Sequence, residues 1–173
     1  MKAKTISPIN IAALFLLAAC AVMGVVGLFL AWTGADIAGM GEVKVTLLEY
    51  GRVADETGGV IPTMTALGSV AAVAMGFAAV CYAFSLVKGR TRLLFIAALL
   101  GVIAMTLAIC AIVYTGTTTW RWSQGEEECF LGEVAQGGAY IGAGCYLTCI
   151  AVCAGGILSA VMYFAGVRLK RET

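Results

Sequence analysis

Three cysteines, Cys145, Cys149 and Cys153, stand at i, i+4 and i+8, a spacing that puts three thiols on one helix face. Thiols in such a row suit soft-metal binding or thiol redox. Neither reading finds support elsewhere in the chain. No histidine exists among the 173 residues to complete a mixed ligand set. The closest cysteine spacing is Cys-x-x-x-Cys, not the Cys-x-x-Cys of thiol oxidoreductases. The three thiols belong instead to a longer stripe of Gly138, Gly142, Cys145, Cys149, Cys153, Gly156 and Ala160, in which every member is small. Cysteine packs as a small hydrophobe, so the expected role is a helix-packing seam, with no metal and no cofactor.

The other cysteines add little chemistry. Cys20, Cys81 and Cys110 are isolated in apolar segments and are expected to be structural. Cys129 sits in a polar segment. Cys145 is expected two to three turns into the last helix, on the order of 10–15 Å away at 1.5 Å per residue. Cys129 is therefore expected as a free thiol or an intermolecular bridge. The run Glu126, Glu127 and Glu128 with Glu133 has the charge to attract a divalent cation, but it reads as a solvated loop. There is no Ser/His pair, catalytic carboxylate pair or phosphate-cradling loop. Enzymatic activity is not expected.

The elements that carry these residues are set by charge. The 11 basic and 10 acidic residues fall into five clusters, separated by the charge-free stretches Thr5–Ala35, Thr57–Val87, Leu93–Trp120 and Val134–Val167. Each stretch exceeds the ~20 apolar residues that cross a bilayer core. The clusters alternate in sign. Lys2 and Lys4, then Lys88, Arg90 and Arg92, then Arg168, Lys170 and Arg171 are basic, and nine of the acids lie in the two clusters between them. Positive loops stay inside. The expectation is an all-α, antiparallel four-helix transmembrane bundle in a cell membrane, both termini cytoplasmic. Its spans are near 8–32, 62–87, 93–115 and 137–166, and its outer loops near 33–61 and 115–136. Lipid is the first partner, and other membrane proteins or a second copy the next. Nucleic acid is excluded, because no basic surface is interleaved with aromatic residues.

Leu17-Ala18-Ala19-Cys20 resembles a lipoprotein cleavage site, yet Ala21–Trp32 continues apolar. An uncleaved first helix is expected. Ser7-Pro8 opens it as N-cap and first helical residue, and Trp32 closes it as an interfacial aromatic. In the outer loops, Glu42–Leu47 alternates polar and apolar, and Thr117–Trp122 is rich in β-branched and aromatic residues. Both are strand candidates, expected to pair as a small sheet above the bundle.

Small-residue stripes recur in every span: Cys20, Gly24, Gly27 and Ala31; Gly68, Ala72, Gly76, Ala79 and Ala83; Ala97, Gly101, Ala104, Ala108 and Ala111. Inside lipid, helices associate by close backbone approach, which such residues allow. On this reading a leucine at Gly142 or Gly156 is damaging, and one at Gly155, off the stripe, is tolerated. No Asp, Glu, Lys or Arg lies within a span, so the usual marks of an ion pathway or proton relay are missing.

Four spans, a longer first outer loop with strand character and a Trp just after the first helix resemble the claudin-like tetraspan group. The layout is also similar to that of small four-span bacterial membrane proteins. The resemblance covers topology over most of the chain and implies a four-helix bundle under an outer sheet. The family's Gly-Leu-Trp and paired loop cysteines are absent: the region reads Trp32-Thr33-Gly34-Ala35-Asp36 through Gly59 without a Cys. The leading functional expectation is a non-enzymatic structural or accessory subunit. A pore or transporter component formed by oligomerisation and a thiol-redox membrane protein are the alternatives.

Overall fold

The computed structural model describes residues 7–37, 41–47, 60–124 and 135–171. Four long helices, α1 (Pro8–Phe29), α2 (Val60–Lys88), α3 (Thr91–Gln124) and α4 (Ala143–Arg171), are joined at one end by three strands, β1 (Ala31–Ile37), β2 (Gly41–Thr46) and β3 (Ala135–Ile141). Pro8 stands in the first turn of α1, where its missing N–H costs nothing. Ser7 takes the N-cap position through its backbone carbonyl, which accepts from the Asn10 and Ile11 N–H groups; its side chain makes no cap bond.

Each helix packs against the next around a ring, α4 closing on α1, and α2 and α4 also touch across the centre. The small residues are inside. Ala71, Ala78, Ala104, Ala108 and Ala111 are buried, while Phe15, Phe77, Ile150 and Phe164 are exposed. A water-soluble bundle would invert this arrangement. All four helices are long and apolar enough to cross a membrane, with mean hydropathy between 2.0 and 2.8 over their best windows. The chain is a multi-pass membrane protein built as a four-helix bundle.

At the basic end, α2 and α3 are joined by Gly89 and Arg90 alone. Gly89 has φ +62°, the left-handed conformation that stops a helix and that a side chain disfavours. At the other end lies a three-stranded antiparallel sheet of order β2-β1-β3. It is the expected small sheet, made of different pieces. The candidate Glu42–Leu47 corresponds to β2. The candidate Thr117–Trp122 is helical, because α3 continues to Gln124. Its hydroxyls bond back to their own helix, Thr117 to the Tyr114 carbonyl at 2.9 Å and Thr119 to that of Thr115 at 2.9 Å. The 34 residues of α3 span ~50 Å, so its last turns stand clear of a ~30 Å core and β3 packs against them.

The first helix ends at Phe29, not Trp32, and Ala31–Ile37 forms the central strand. The last helix starts at Ala143, and the residues expected to open it form β3. β1 carries one extra residue between Ala31 and Thr33 relative to β2. Such a bulge breaks the alternation of faces, and Trp32, Thr33 and Ala35 are all fully buried.

Candidate functional site

The sheet end of the bundle is where strands, helices and polar side chains converge, and Trp32 is its centre. The indole is fully buried. Its Nε1 donates to Thr115 Oγ1 on α3 at 3.2 Å, and its backbone carbonyl accepts the Gly142 N–H at 2.7 Å, at the mouth of α4. A side chain on Gly68 of α2 would meet the indole and Leu47 at 2.9 Å. One residue of β1 therefore ties α2, α3 and α4 together. In place of the expected interfacial aromatic, Trp32 is the keystone of the cap.

The cysteines sit beneath it. Cys145 lies in the first turn of α4, not two to three turns in, and its thiol bonds with Cys149 and Thr115. The Cys149 thiol donates to the Ala108 carbonyl of α3 at 3.3 Å. Both are buried, and Cys153, one turn on, is half-buried. All three pack within the bundle, and the thiols of Cys145 and Cys149 find partners on α3. Among the described residues no three metal-ligating side chains converge. Cys129 and the acidic run at 126–128 with Glu133 lie outside the described residues.

The expected seam resolves into different roles. Gly142, Gly144 and Gly27 sit where backbones nearly touch. A Cβ on Gly142 would strike the Ala31 carbonyl oxygen, and one on Gly27 would strike Thr148 and lie 2.8 Å from the Gly144 oxygen. Thr148 crosses the same junction, its hydroxyl donating to the Gly24 carbonyl at 3.0 Å. Farther along, Gly156 meets Gly101: a Cβ on Gly156 would lie 2.6 Å from the Gly101 oxygen. Ala160 is half-buried one turn beyond. Gly138 is no part of a helix seam. It lies in β3, where two extra residues are inserted opposite β1, and it has φ +97° with open space around it. Gly155 also departs from expectation. A Cβ there would lie 2.7 Å from the Met75 sulfur and 3.0 Å from Cys20 Cβ, so it packs against α1 and α2 while Gly156 packs against α3. Two adjacent glycines serve two different interfaces, because α4 is in contact with all three other helices.

On the exposed face of the sheet, Tyr140 of β3 lies across Gly34 of β1. Its hydroxyl donates to Glu42 Oε1 of β2 at 2.5 Å, and Lys44 Nζ pairs with Glu42 Oε2 at 3.1 Å. A side chain on Gly34 would occupy the space of the ring, so glycine permits a bond that reaches from one edge strand to the other. Donation to the carboxylate pushes Tyr140 up to about 12, with burial and the carboxylate charge adding to it. The same bond, followed by that to Lys44, draws Glu42 below its ordinary value of 4.5. Tyr140 then contributes stability that is complete below its ordinary value of 10.0 and is lost as pH rises through about 12. Glu42 contributes stability that is present above 4.5 and lost as pH falls through its lowered value. The strap is expected to hold from about pH 5 to 10. In a Tyr140→Phe difference titration of tyrosinate absorbance, the missing signal should have its midpoint near 12; a midpoint at the ordinary value of 10.0 would show that the strap is absent.

Thr33 Oγ1 is the one buried side-chain polar atom without a partner among the described residues. Leaving such an atom unpaired costs ~1–3 kcal/mol, and an isosteric apolar replacement removes the cost. Thr33→Val is therefore expected to raise the melting temperature in detergent, whereas a hydroxyl with a real partner would make the same change destabilising.

No protein-family model matches the chain, and no curated protein matches it either.

Proposed function

We propose that this four-span protein has no catalytic activity of its own and works as a structural or accessory component of a membrane assembly, offering its capped end to a partner. The observation that carries this reading is the pinning of the sheet. A strand that follows α1 directly is bonded to α3 through Trp32 and to the mouth of α4 through Gly142, and its exposed face is strapped by Tyr140 and Glu42. A surface held that firmly needs little ordering when a partner binds, which lowers the cost of association. The claudin-like layout, a sheet over four spans, supports the same reading. So does the sequence of the spans, which contain no Asp, Glu, Lys or Arg.

The basic end faces the cytoplasm in this reading, with both termini inside. On a background without cysteines, a Cys at Gly89 should resist a membrane-impermeant thiol reagent added from outside, and one at Thr57 should react; the reverse pattern would overturn the orientation. Extraction in gentle detergent should recover the protein with a defined partner at fixed stoichiometry. A lone oligomer that conducts ions in liposomes would make it a pore component instead. Loss of activity in the Cys145/Cys149/Cys153→Ala variant would make it a thiol-redox protein.

A further inference from the structure

The basic end of the bundle holds two recesses that share one wall. The deeper, of about 310 Å³, opens among the ends of all four helices. Leu86, Leu94 and Met162 supply apolar walls, and Asn10, Tyr82 and Ser85 supply polar atoms. The shallower lies over the α2–α3 turn and is lined by Gly89, Arg90, Thr91 and Arg92. Gly89, Arg90 and Thr91 border both.

The polar atoms of the deeper recess are only partly used. The Tyr82 hydroxyl donates to Asn10 Oδ1 over a long 3.5 Å, and Ser85 Oγ donates to the Tyr82 carbonyl at 2.6 Å. Among the described residues the Asn10 amide N–H groups and the remaining lone pairs of both hydroxyls have no further partner. In the shallower recess two guanidinium groups flank the first turn of α3, where unpaired backbone N–H groups and the helix dipole favour an anion. Among the described residues no carboxylate stands beside these arginines. Asp36 and Glu42, the only described carboxylates, are in the sheet at the far end of the bundle. Lys88 is directed elsewhere, its Nζ 5.6 Å from the centre of the Phe84 ring.

A cationic recess joined to an apolar one, immediately beyond the end of a membrane span, matches one kind of molecule. We propose that this is a binding site for an anionic glycerophospholipid. The phosphate sits between Arg90 and Arg92 at the start of α3, the ester oxygens reach the Asn10 amide, and the upper part of an acyl chain lies along Leu86, Leu94 and Met162. Guanidinium pairs with phosphate oxygens in a two-pronged geometry that an ammonium lacks, so the site discriminates by charge. The deeper recess discriminates against free phosphate, which has nothing to place there. The proposal goes beyond the accessory role and does not depend on it.

The test is delipidated protein in non-ionic detergent, titrated with phosphatidylglycerol, with phosphatidylcholine of the same chains, and with inorganic phosphate. Bound adducts are counted by native mass spectrometry, and the melting temperature is followed in parallel. Phosphatidylglycerol should be retained and should raise the melting temperature, while the other two do neither. Arg90→Gln with Arg92→Gln, on an exposed turn that tolerates change, should weaken retention about tenfold or more, as expected for lost charge-assisted bonds. Ala165→Trp, at an exposed position bordering the deeper recess, should weaken it without altering charge. Lys44→Gln at the opposite end should leave it unchanged. Equal retention of the two lipids, an equal shift with phosphate alone, or the same loss in Lys44→Gln as in the arginine variant would each overturn the site.

Discussion

Replacing Trp32 with alanine is expected to cost about 3–5 kcal/mol, the range for truncating a fully buried Trp, and to be the most damaging side-chain truncation in the molecule. Several losses coincide. The indole fills the space between β1, Gly68 and Leu47, and its Nε1 satisfies Thr115. Its removal leaves a cavity where three helices and the sheet meet, and it leaves a buried threonine hydroxyl without its donor. Trp32→Phe separates the two contributions. It keeps most of the volume and forfeits the hydrogen bond, so about 1 kcal/mol should be lost, with some repacking cost added. The melting temperature in detergent should therefore fall steeply for alanine and modestly for phenylalanine. A small shift for Trp32→Ala, similar to one at exposed Trp120, would show that the cap is not anchored there.

Gly27→Leu is expected to disrupt the protein almost as severely, by a different route. Here nothing is removed. The new side chain has to occupy space held by Thr148 and by the Gly144 carbonyl oxygen. Overpacking a core commonly costs ~1–3 kcal/mol when neighbours can rotate aside. At this crossing the neighbours are backbone, so α1 must move away from α4. That movement also breaks the Thr148 bond to the Gly24 carbonyl and the approach of Gly142 to Ala31. Loss at or above the upper end of that range is expected, seen as a collapse of the folded fraction after purification. Gly76→Leu is the comparison, since nothing lies within 4 Å of a Cβ there. Equal tolerance at Gly27 and Gly76 would mean that the glycines of this chain reflect composition and not contact.

These two sites differ in how readable they are in the sequence. The spans follow from charge alone, because a gap of ~20 residues without charge has few uses outside a bilayer. β2 is legible as well: Val43 and Val45 turn inward while Glu42 and Lys44 are exposed, the alternation of a half-covered strand. β1 is hidden. Leu30, Ala31 and Trp32 continue the apolar run of α1 without a glycine or proline to mark the change, and only pairing with two other strands makes them extended. β3 is hidden for a related reason. Its Ala135–Ile141 sequence is rich in glycine and alanine, and Gly138 and Gly142 happen to continue the spacing of the α4 stripe. Thr117–Trp122 misleads in the opposite direction, since β-branched propensity is weak against a long helix whose hydroxyls bond backwards and whose Trp122 is buried.

The thiol row illustrates what spacing can and cannot say. It places Cys145, Cys149 and Cys153 on one face of a helix, and α4 carries the first two on its contact with α3. It gives no warning that Gly155 is as enclosed as Gly156. A stripe read from a sequence describes one face, and a helix at the junction of three others has little free surface at its small residues.

If the sheet end is a recognition surface, photo-crosslinking in intact membranes should capture its partner there. A photoreactive residue is placed at Lys44 or Asp36, exposed in the sheet, and at lipid-facing Phe77 as comparison. The expected result is one discrete protein adduct from the two sheet positions, weakened when Tyr140→Ala releases the strap, and only lipid adducts from Phe77. Sheet positions that yield no protein adduct, with crosslinks appearing from Phe77 instead, would contradict the account.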